Sequence, residues 1–154
     1  MIEVRELTPD DWQLWRAMRR AALAEAPAAF GSPLAQWSGP GDTEERWRAR
    51  LSGVPLNLVL MVDGEPAGMV SGTAPSDHRT VELISLWVAP SARGQGVADA
   101  AVSRVLQWAC VEHAADVVLS VRADNHPGIA LYRRHGFTDA GPSPDDPAER
   151  LMRR

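Results

Sequence analysis

Val88-Ala89-Pro90-Ser91-Ala92-Arg93-Gly94-Gln95-Gly96-Val97-Ala98 carries an apolar strand into a helix through one arginine and two glycines. The first turn of a helix has backbone N–H groups without internal partners, and the helix dipole favours negative charge there. Gly94 and Gly96 lack a Cβ, so a ligand can lie against the main chain. Arg93 adds a permanent cation able to meet phosphate oxygens in a fork. The stretch reads as a phosphate site, with a plain strand-to-helix connection as the alternative. It contains no Gly-Lys-Ser/Thr, which excludes a P-loop. Ala98 also stands where the dinucleotide fingerprint would continue toward its third glycine.

A second segment, Asn125-His126-Pro127-Gly128-Ile129-Ala130-Leu131-Tyr132-Arg133-Arg134-His135-Gly136-Phe137, reads as a short helix. Asp124 or Asn125 caps it, Pro127 fits the first turn, Gly136 ends it in a left-handed position and Phe137 starts a strand. The form Arg93-x-x-Gly96-x-Ala98 resembles the Arg/Gln-x-x-Gly-x-Gly/Ala motif of the GNAT N-acetyltransferase superfamily. The second segment resembles that family's Asn-x-x-(x)-Ala-x-x-Leu-Tyr-x-x-x-Gly-Phe signature. The two motifs lie about thirty residues apart with a helix and a strand between them, as in the family.

The whole chain fits one domain, residues 1–154, of ordinary single-domain length. Hydrophobic residues make up 45% of it, yet no run is long enough to span a bilayer. The segment Met1 to Leu7 lacks the basic and apolar regions of a signal peptide. The single cysteine, Cys110, cannot form an internal disulfide, so a reducing cytoplasm is expected. A net charge of −4 argues against nucleic acid and is compatible with an amine substrate. No membrane association is expected, and a homodimer is admissible.

Strand and helix alternate along the chain. Ile2 to Leu7 alternates as a strand, and Thr8-Pro9-Asp10-Asp11 caps a helix with Trp12, Trp15, Met18 and Ala22 on its apolar face. Residues 26 to 41 read as an irregular connection, and Asp42 or Thr43 opens a second helix ending near Gly53. Leu56 to Val62 and Pro66 to Thr73 are strands joined by Asp63-Gly64, a hairpin signal. Thr80 to Val88 is the strand entering the phosphate turn, and Gly96 to His113 the longest helix. Its apolar face holds Val97, Ala101, Val105 and Trp108. Val117 to Val121 is a buried strand. Phe137 opens another, a loop spans Gly141 to Pro147, and Arg150 to Met152 closes the series. The resemblance implies an α/β mixed-sheet GNAT fold: a mostly antiparallel twisted sheet of seven strands with a splayed parallel pair, and four helices.

The resemblance also implies a chemistry and the residues that carry it. The acetyl group of acetyl-coenzyme A passes directly to a primary amine, without an acyl-enzyme and without a metal. Arg93, Gly94, Gln95, Gly96, Val97 and Ala98 hold the pyrophosphate, while the backbone of Leu86, Trp87 and Val88 meets the pantetheine amides. Asn125 bonds the pantetheine or only caps its helix. Asp99 departs from the small or basic residues common after the motif, yet sits close to the phosphate charge. Tyr132 occupies the general-acid position; with an ordinary pKa of about 10 it is protonated at neutral pH and can donate to sulfur. Its alternative is packing beside Leu131.

Glu82, at the head of the strand entering the turn, is the candidate base, directly or through water; its alternative is a solvated strand-end carboxylate. A lysine-type amine is neutral only about once in 2,500 molecules at pH 7, so a base matters most for such acceptors. Ser120 stands where relatives acting on protein N-termini often carry glutamate, and serine cannot supply that base. Ser85 is a further polar candidate. His78, His113, His126 and His135 show no metal-ligand spacing, and Cys110, mid-helix, reads as a buried packing thiol. Trp37, in the irregular stretch with Phe30, is expected to line the acceptor pocket. The acceptor is a small-molecule or protein amine. The alternative function is a non-catalytic acyl-CoA-binding sensor or subunit, which would keep Arg93 to Ala98 while losing Tyr132 and Glu82.

Overall fold

Hydrophobic periodicity and turn chemistry build a seven-stranded sheet with strand order β1-β2-β3-β4-β5-β7-β6 in this computed structural model, which describes residues 1–26 and 34–154. The strands are β1 (Ile2–Glu6), β2 (Leu56–Val62), β3 (Glu65–Gly72), β4 (Thr80–Val88), β5 (Asp116–Arg122), β6 (Thr138–Pro142) and β7 (Glu149–Arg153). The described α-helices are α1 (Trp12–Glu25), α2 (Glu44–Gly53), α3 (Val97–His113) and α4 (His126–Arg134). Every pairing is antiparallel except that of β4 with β5. None of the described helices is long and apolar enough to cross a membrane.

Local signals explain the element ends. Thr8 accepts from Asp10 N–H at 3.3 Å while Asp11 accepts from Thr8 N–H at 2.9 Å, a reciprocal cap that starts a short 3₁₀ turn ahead of α1. Thr43 rather than Asp42 caps α2, accepting from Arg46 N–H at 3.3 Å. Asp63 and Gly64 both have positive φ, the backbone a tight two-residue hairpin requires between β2 and β3. Leu7 leaves the strand but stays buried, its N–H donating to the Asn57 carbonyl at 2.8 Å. Phe137 precedes β6 instead of opening it and is buried against the Tyr132 ring, their centroids 5.8 Å apart. β6 reaches Pro142, into the stretch expected as loop, because β7 pairs with it as far as Arg150.

The sheet has a core on each face. Alternation along β2 sends Leu56, Leu58 and Leu60 to the α3 side and Val59 to the side of α1 and α2. On the first side they meet Val97, Ala101, Val105 and Trp108 of α3; on the second, Trp15, Met18 and Ala22 of α1 and Trp47 of α2. Cys110 is exposed, contrary to the expectation of a packing thiol. It follows Val105 and Trp108 at offsets that turn it away from the buried stripe.

Two irregularities open the middle of the sheet. The parallel pairing of β4 with β5 covers only Thr80–Glu82 against Asp116–Val118, and the strands then part. Opposite Val70 of β3, β4 has an extra residue, a bulge at Ser85 and Leu86, where Ser85 takes φ +60°. Beyond Glu82 the β5-facing edge of β4 is free of strand partners as far as Val88.

Candidate active site

The phosphate turn takes the shape its glycines permit. After a 3₁₀ turn at Pro90–Ala92 the chain passes through Gly94 at φ +82° and Gly96 at φ +86° and enters α3. A Cβ at Gly94 would meet nothing within 4 Å, and one at Gly96 only Ile2 Cδ1 at 3.9 Å. Both point into open space. The first bond of α3 is Ala100 N–H to the Gly96 carbonyl at 3.0 Å, so the N–H groups of Val97, Ala98 and Asp99 precede the helical ladder. They face a cavity of about 530 Å³ between this turn and α4, bounded on the far side by Pro127, Gly128, Leu131 and Arg134. An anion fits a wall of unpaired N–H groups and bare Cα atoms.

A second cavity, of about 290 Å³, fills the splay between β4 and β5. Glu82 and the bulged Ser85 and Leu86 line it from β4, Ser120 and Arg122 from β5, and Asn125 and Tyr132 from the start and middle of α4. Leu86 borders this cavity and Val88 the first; Tyr132 borders this one and Leu131 the first. The free edge of β4 and the body of α4 therefore serve both spaces. Tyr132 is buried, and burial pushes its phenol up to about 12. Glu82 is raised from the ordinary carboxylate range, first by burial and then by Asp145 and Glu149. A protonated phenol and a carboxylate made more basic than usual thus face one cleft.

The comparisons with known proteins fit this arrangement. The model of the acetyltransferase (GNAT) family matches residues 14–137. The chain belongs to the GNAT family. Among curated relatives, N-acetylaspartate synthetase of Rattus norvegicus is 35% identical over 85 residues, 55% of this chain and 28% of its own length. Mycothiol acetyltransferase of Streptomyces griseus is 32% identical over 139 residues, covering 89% of this chain and 43% of that one. The chain thus spans less than half the length of these relatives. In fold it is similar to an acetyltransferase of the GNAT family from Streptococcus pneumoniae, with TM-score 0.78 and 19% identity over 100% of this chain and 99% of the other. PaiA N-acetyltransferase from Thermoplasma acidophilum, solved in complex with coenzyme A, matches with TM-score 0.75 and 17% identity over 100% of this chain and 98% of the other.

Within this GNAT chain the residues expected at the cofactor side divide by atom type. Val97 is buried in the core and offers only its main chain to the first cavity, whereas the Trp87 ring faces α1 and its carbonyl faces β3. Gln95 is exposed and donates to the Ser91 carbonyl at 3.3 Å. The Arg93 side chain, expected as a phosphate fork, has partners within the protein. Its Nη2 donates to Glu25 Oε1 at 2.7 Å and its Nε to the Val88 carbonyl at 3.1 Å. Glu25 also accepts from Trp87 Nε1–H at 3.1 Å, and that bond first, then Arg93, holds its carboxyl below the ordinary range. Arg93 thus braces the turn against the end of α1 while also lining the first cavity.

Asp99 lines the first cavity, but its charge is met: Oδ1 lies 2.8 Å from His135 Nε2 and 3.1 Å from Arg134 Nη2. The His135 contact, more than Arg134, lowers its pKa. Asn125 caps α4, accepting from Gly128 N–H at 3.1 Å, and lines the second cavity as well. Ser120 is in that cavity, its Oγ 3.0 Å from Ser143 Oγ.

Phe30 lies outside the described residues. Trp37 does not border the cleft: its ring stacks on Trp47 at 4.4 Å with the Arg46 guanidinium 4.2 Å over it. Apolar contact with the α1–α2 core draws it there. Three charged wall residues, Arg19, Arg122 and Glu149, belong to no sequence motif. Glu149 of β7 stands opposite Arg122 in register, and its carboxyl is raised by burial and by Asp146. Arg19 of α1 lines the cleft, and Arg50 of α2 lies behind Ser85. Arg19 did carry a signal, being four residues after Trp15 and seven after Trp12 on the apolar stripe of α1. No group of three or more candidate metal ligands occurs among the described residues.

Proposed function

We propose that this chain transfers an acetyl group from acetyl-coenzyme A directly to a primary amine. The observation that carries the reading is the pair of adjoining cavities, one walled by unpaired N–H groups and bare glycines, the other by Glu82 and Tyr132. In this reading Gly94 to Asp99 hold the pyrophosphate through their main chain, and the free edge of β4 along Leu86 to Val88 offers backbone groups to the pantetheine. The bound thioester supplies the activated acyl group.

The chain's own residues supply position and proton traffic. An ammonium entering the splay is drawn by Glu82, which takes its proton directly or through a water, leaving the nitrogen lone pair free. Asn125 and the walls of the splay hold the amine beside the cofactor channel, which converts encounter into orientation. Tyr132, kept neutral by burial, holds its proton for the departing sulfur. Retention of both groups in one cleft supports catalysis over the sensor reading, which needs neither.

The names of the relatives, which act as an N-acetylaspartate synthetase and a mycothiol acetyltransferase, support a small amine as acceptor. Ser120 in place of an acidic residue speaks against protein N-termini. The test is a panel of amines with acetyl-coenzyme A, read by release of free thiol and by mass of the acetylated product. Turnover with a member of the panel is the expected result. Tight cofactor binding with no turnover on any amine class would return the chain to the sensor reading.

A further inference from the structure

Two arginines break the apolar pattern of their helices beside the cleft. Arg19 sits on the stripe of α1 that buries Trp15, Met18 and Ala22, and Arg50 lies between the buried Trp47 and Leu51 of α2. A charge at a core-facing helix position is unfavourable unless it serves a purpose. Both guanidinium groups reach the same atom, Ser85 Oγ, each at 3.4 Å. Ser85 is the bulged residue at φ +60°, a conformation uncommon for a residue with a side chain, and it lines the cleft together with Arg19.

The hydrogen-bond partners of Arg50 are neutral. Its Nη1 donates to Asn57 Oδ1 at 2.8 Å and its Nη2 to Ser71 Oγ at 3.2 Å, with the Trp15 ring 5.0 Å away. Burial, then the charge of Arg19, pushes Arg50 down to about 10. The protein thus gathers two like charges at a poorly hydrated end of the cleft. Glu82 and Glu149 stand on the same walls with the opposite charge.

We infer that the acceptor is a small amine that also carries a carboxylate, with Arg19, backed by Arg50 and Ser85, receiving the carboxylate and Glu82 the amine. This rests on the acetyl-transfer reading for its chemistry and goes beyond it in naming the acceptor's charge pattern. A carboxylate at Arg19 offsets the repulsion between the arginines and gains charge-assisted hydrogen bonds in a setting of low dielectric. A polyamine brings only positive charge to that end and is repelled.

The test uses pairs of acceptors that differ by one carboxylate: phenylalanine and phenethylamine, lysine and cadaverine, β-alanine and ethylamine, with spermidine as the purely cationic probe. Binding to the protein saturated with coenzyme A is measured by calorimetry, and turnover with acetyl-coenzyme A by thiol release. The expected result is that at least one carboxylate-bearing member binds on the order of ten- to a hundred-fold more tightly than its partner, with spermidine weakest. Arg19→Gln shrinks that ratio mainly through Kd and KM, and Arg19→Lys restores part of it. Equal affinity within every pair, or tighter binding of spermidine, overturns the inference. So does a ratio that survives intact in folded Arg19→Gln and Arg50→Gln. A carboxylate preference in binding without turnover would support the arginine site while striking the acetyl-transfer reading, so the two fail separately.

Discussion

Tyr132 and Glu82 approach the splay from different elements, and each is tuned by burial in the same direction. For the tyrosine, a phenol pushed to about 12 stays protonated through the working range and is available as an acid but not as a base. Tyr132→Phe is expected to lower kcat by roughly ten- to a thousand-fold with little change in cofactor Kd. Unchanged turnover with weakened cofactor binding would make it a binding residue. For the glutamate, the raised pKa links catalysis to stability. The folded carboxyl keeps its proton to higher pH than the unfolded one, so its stabilising contribution is complete below the ordinary carboxylate range. That contribution is lost as pH rises through the raised value. At pH 7 the buried charge weakens the fold, and Glu82→Gln is expected to gain Tm relative to the parent between pH 4 and pH 7. The same variant should lose kcat/KM most on amines of pKa about 10.4 and much less on those of about 8, where solvent supplies the neutral form readily. A Tm difference independent of pH, or an equal loss on both amines, would assign Glu82 to another role.

At the scale of elements, the position of the α3 N-terminus decides whether the turn can hold an anion. Gly68 of β3 is where the sheet admits that helix: a Cβ there would stand 2.9 Å from the Trp87 carbonyl and 3.0 Å from Val97 Cγ1. Gly68→Ala must push either the β4 backbone or the first turn of α3. It is expected to cost about 1–3 kcal/mol, read by the denaturant midpoint, and to weaken acetyl-coenzyme A binding in the folded fraction. Stability unchanged beside wild-type affinity would show that the packing yields without consequence. Gly96→Glu tests the turn itself, placing a carboxylate in the open space before α3 and forcing a side chain into φ +86°. Loss of acetyl-coenzyme A binding in a folded variant is expected. Near wild-type affinity by calorimetry would move the phosphate site elsewhere.

Across the whole molecule, what could be read in the sequence follows how local each signal is. The strand, glycine turn and helix of 88–98 and the capped helix of 125–137 carry their meaning within a dozen residues, and the structure places both around the cavities. The Asp63-Gly64 hairpin was equally plain. The opposite wall was not, because Arg19 and Glu149, with Arg50 behind Ser85, come from three elements that sequence spacing does not relate. Glu149 has no local mark at all; only its register against Arg122 brings it in. The place of Trp37 against Trp47 is not legible, because an apolar ring in an irregular stretch does not say which surface it will cover. Arg93 was assigned to phosphate by its motif, whereas its partner, Glu25, lies 68 residues earlier in the chain.

One helix touches both ends of the reaction path. α1 presents Arg19 to the splay and, six residues on, about 9 Å along the axis, fastens Glu25 to the brace of the phosphate turn. A ligand that shifts either end therefore acts on the other through a rigid rod. Thermodynamic reciprocity then requires one coupling factor. Whatever multiple coenzyme A adds to the affinity of the acceptor, the acceptor must add to the affinity of coenzyme A. Calorimetry of each ligand with and without the other is expected to return a factor different from one. Glu25→Ala, which removes the fastening, should bring it toward unity. A factor of one in the parent protein would mean that the two ends of α1 work independently.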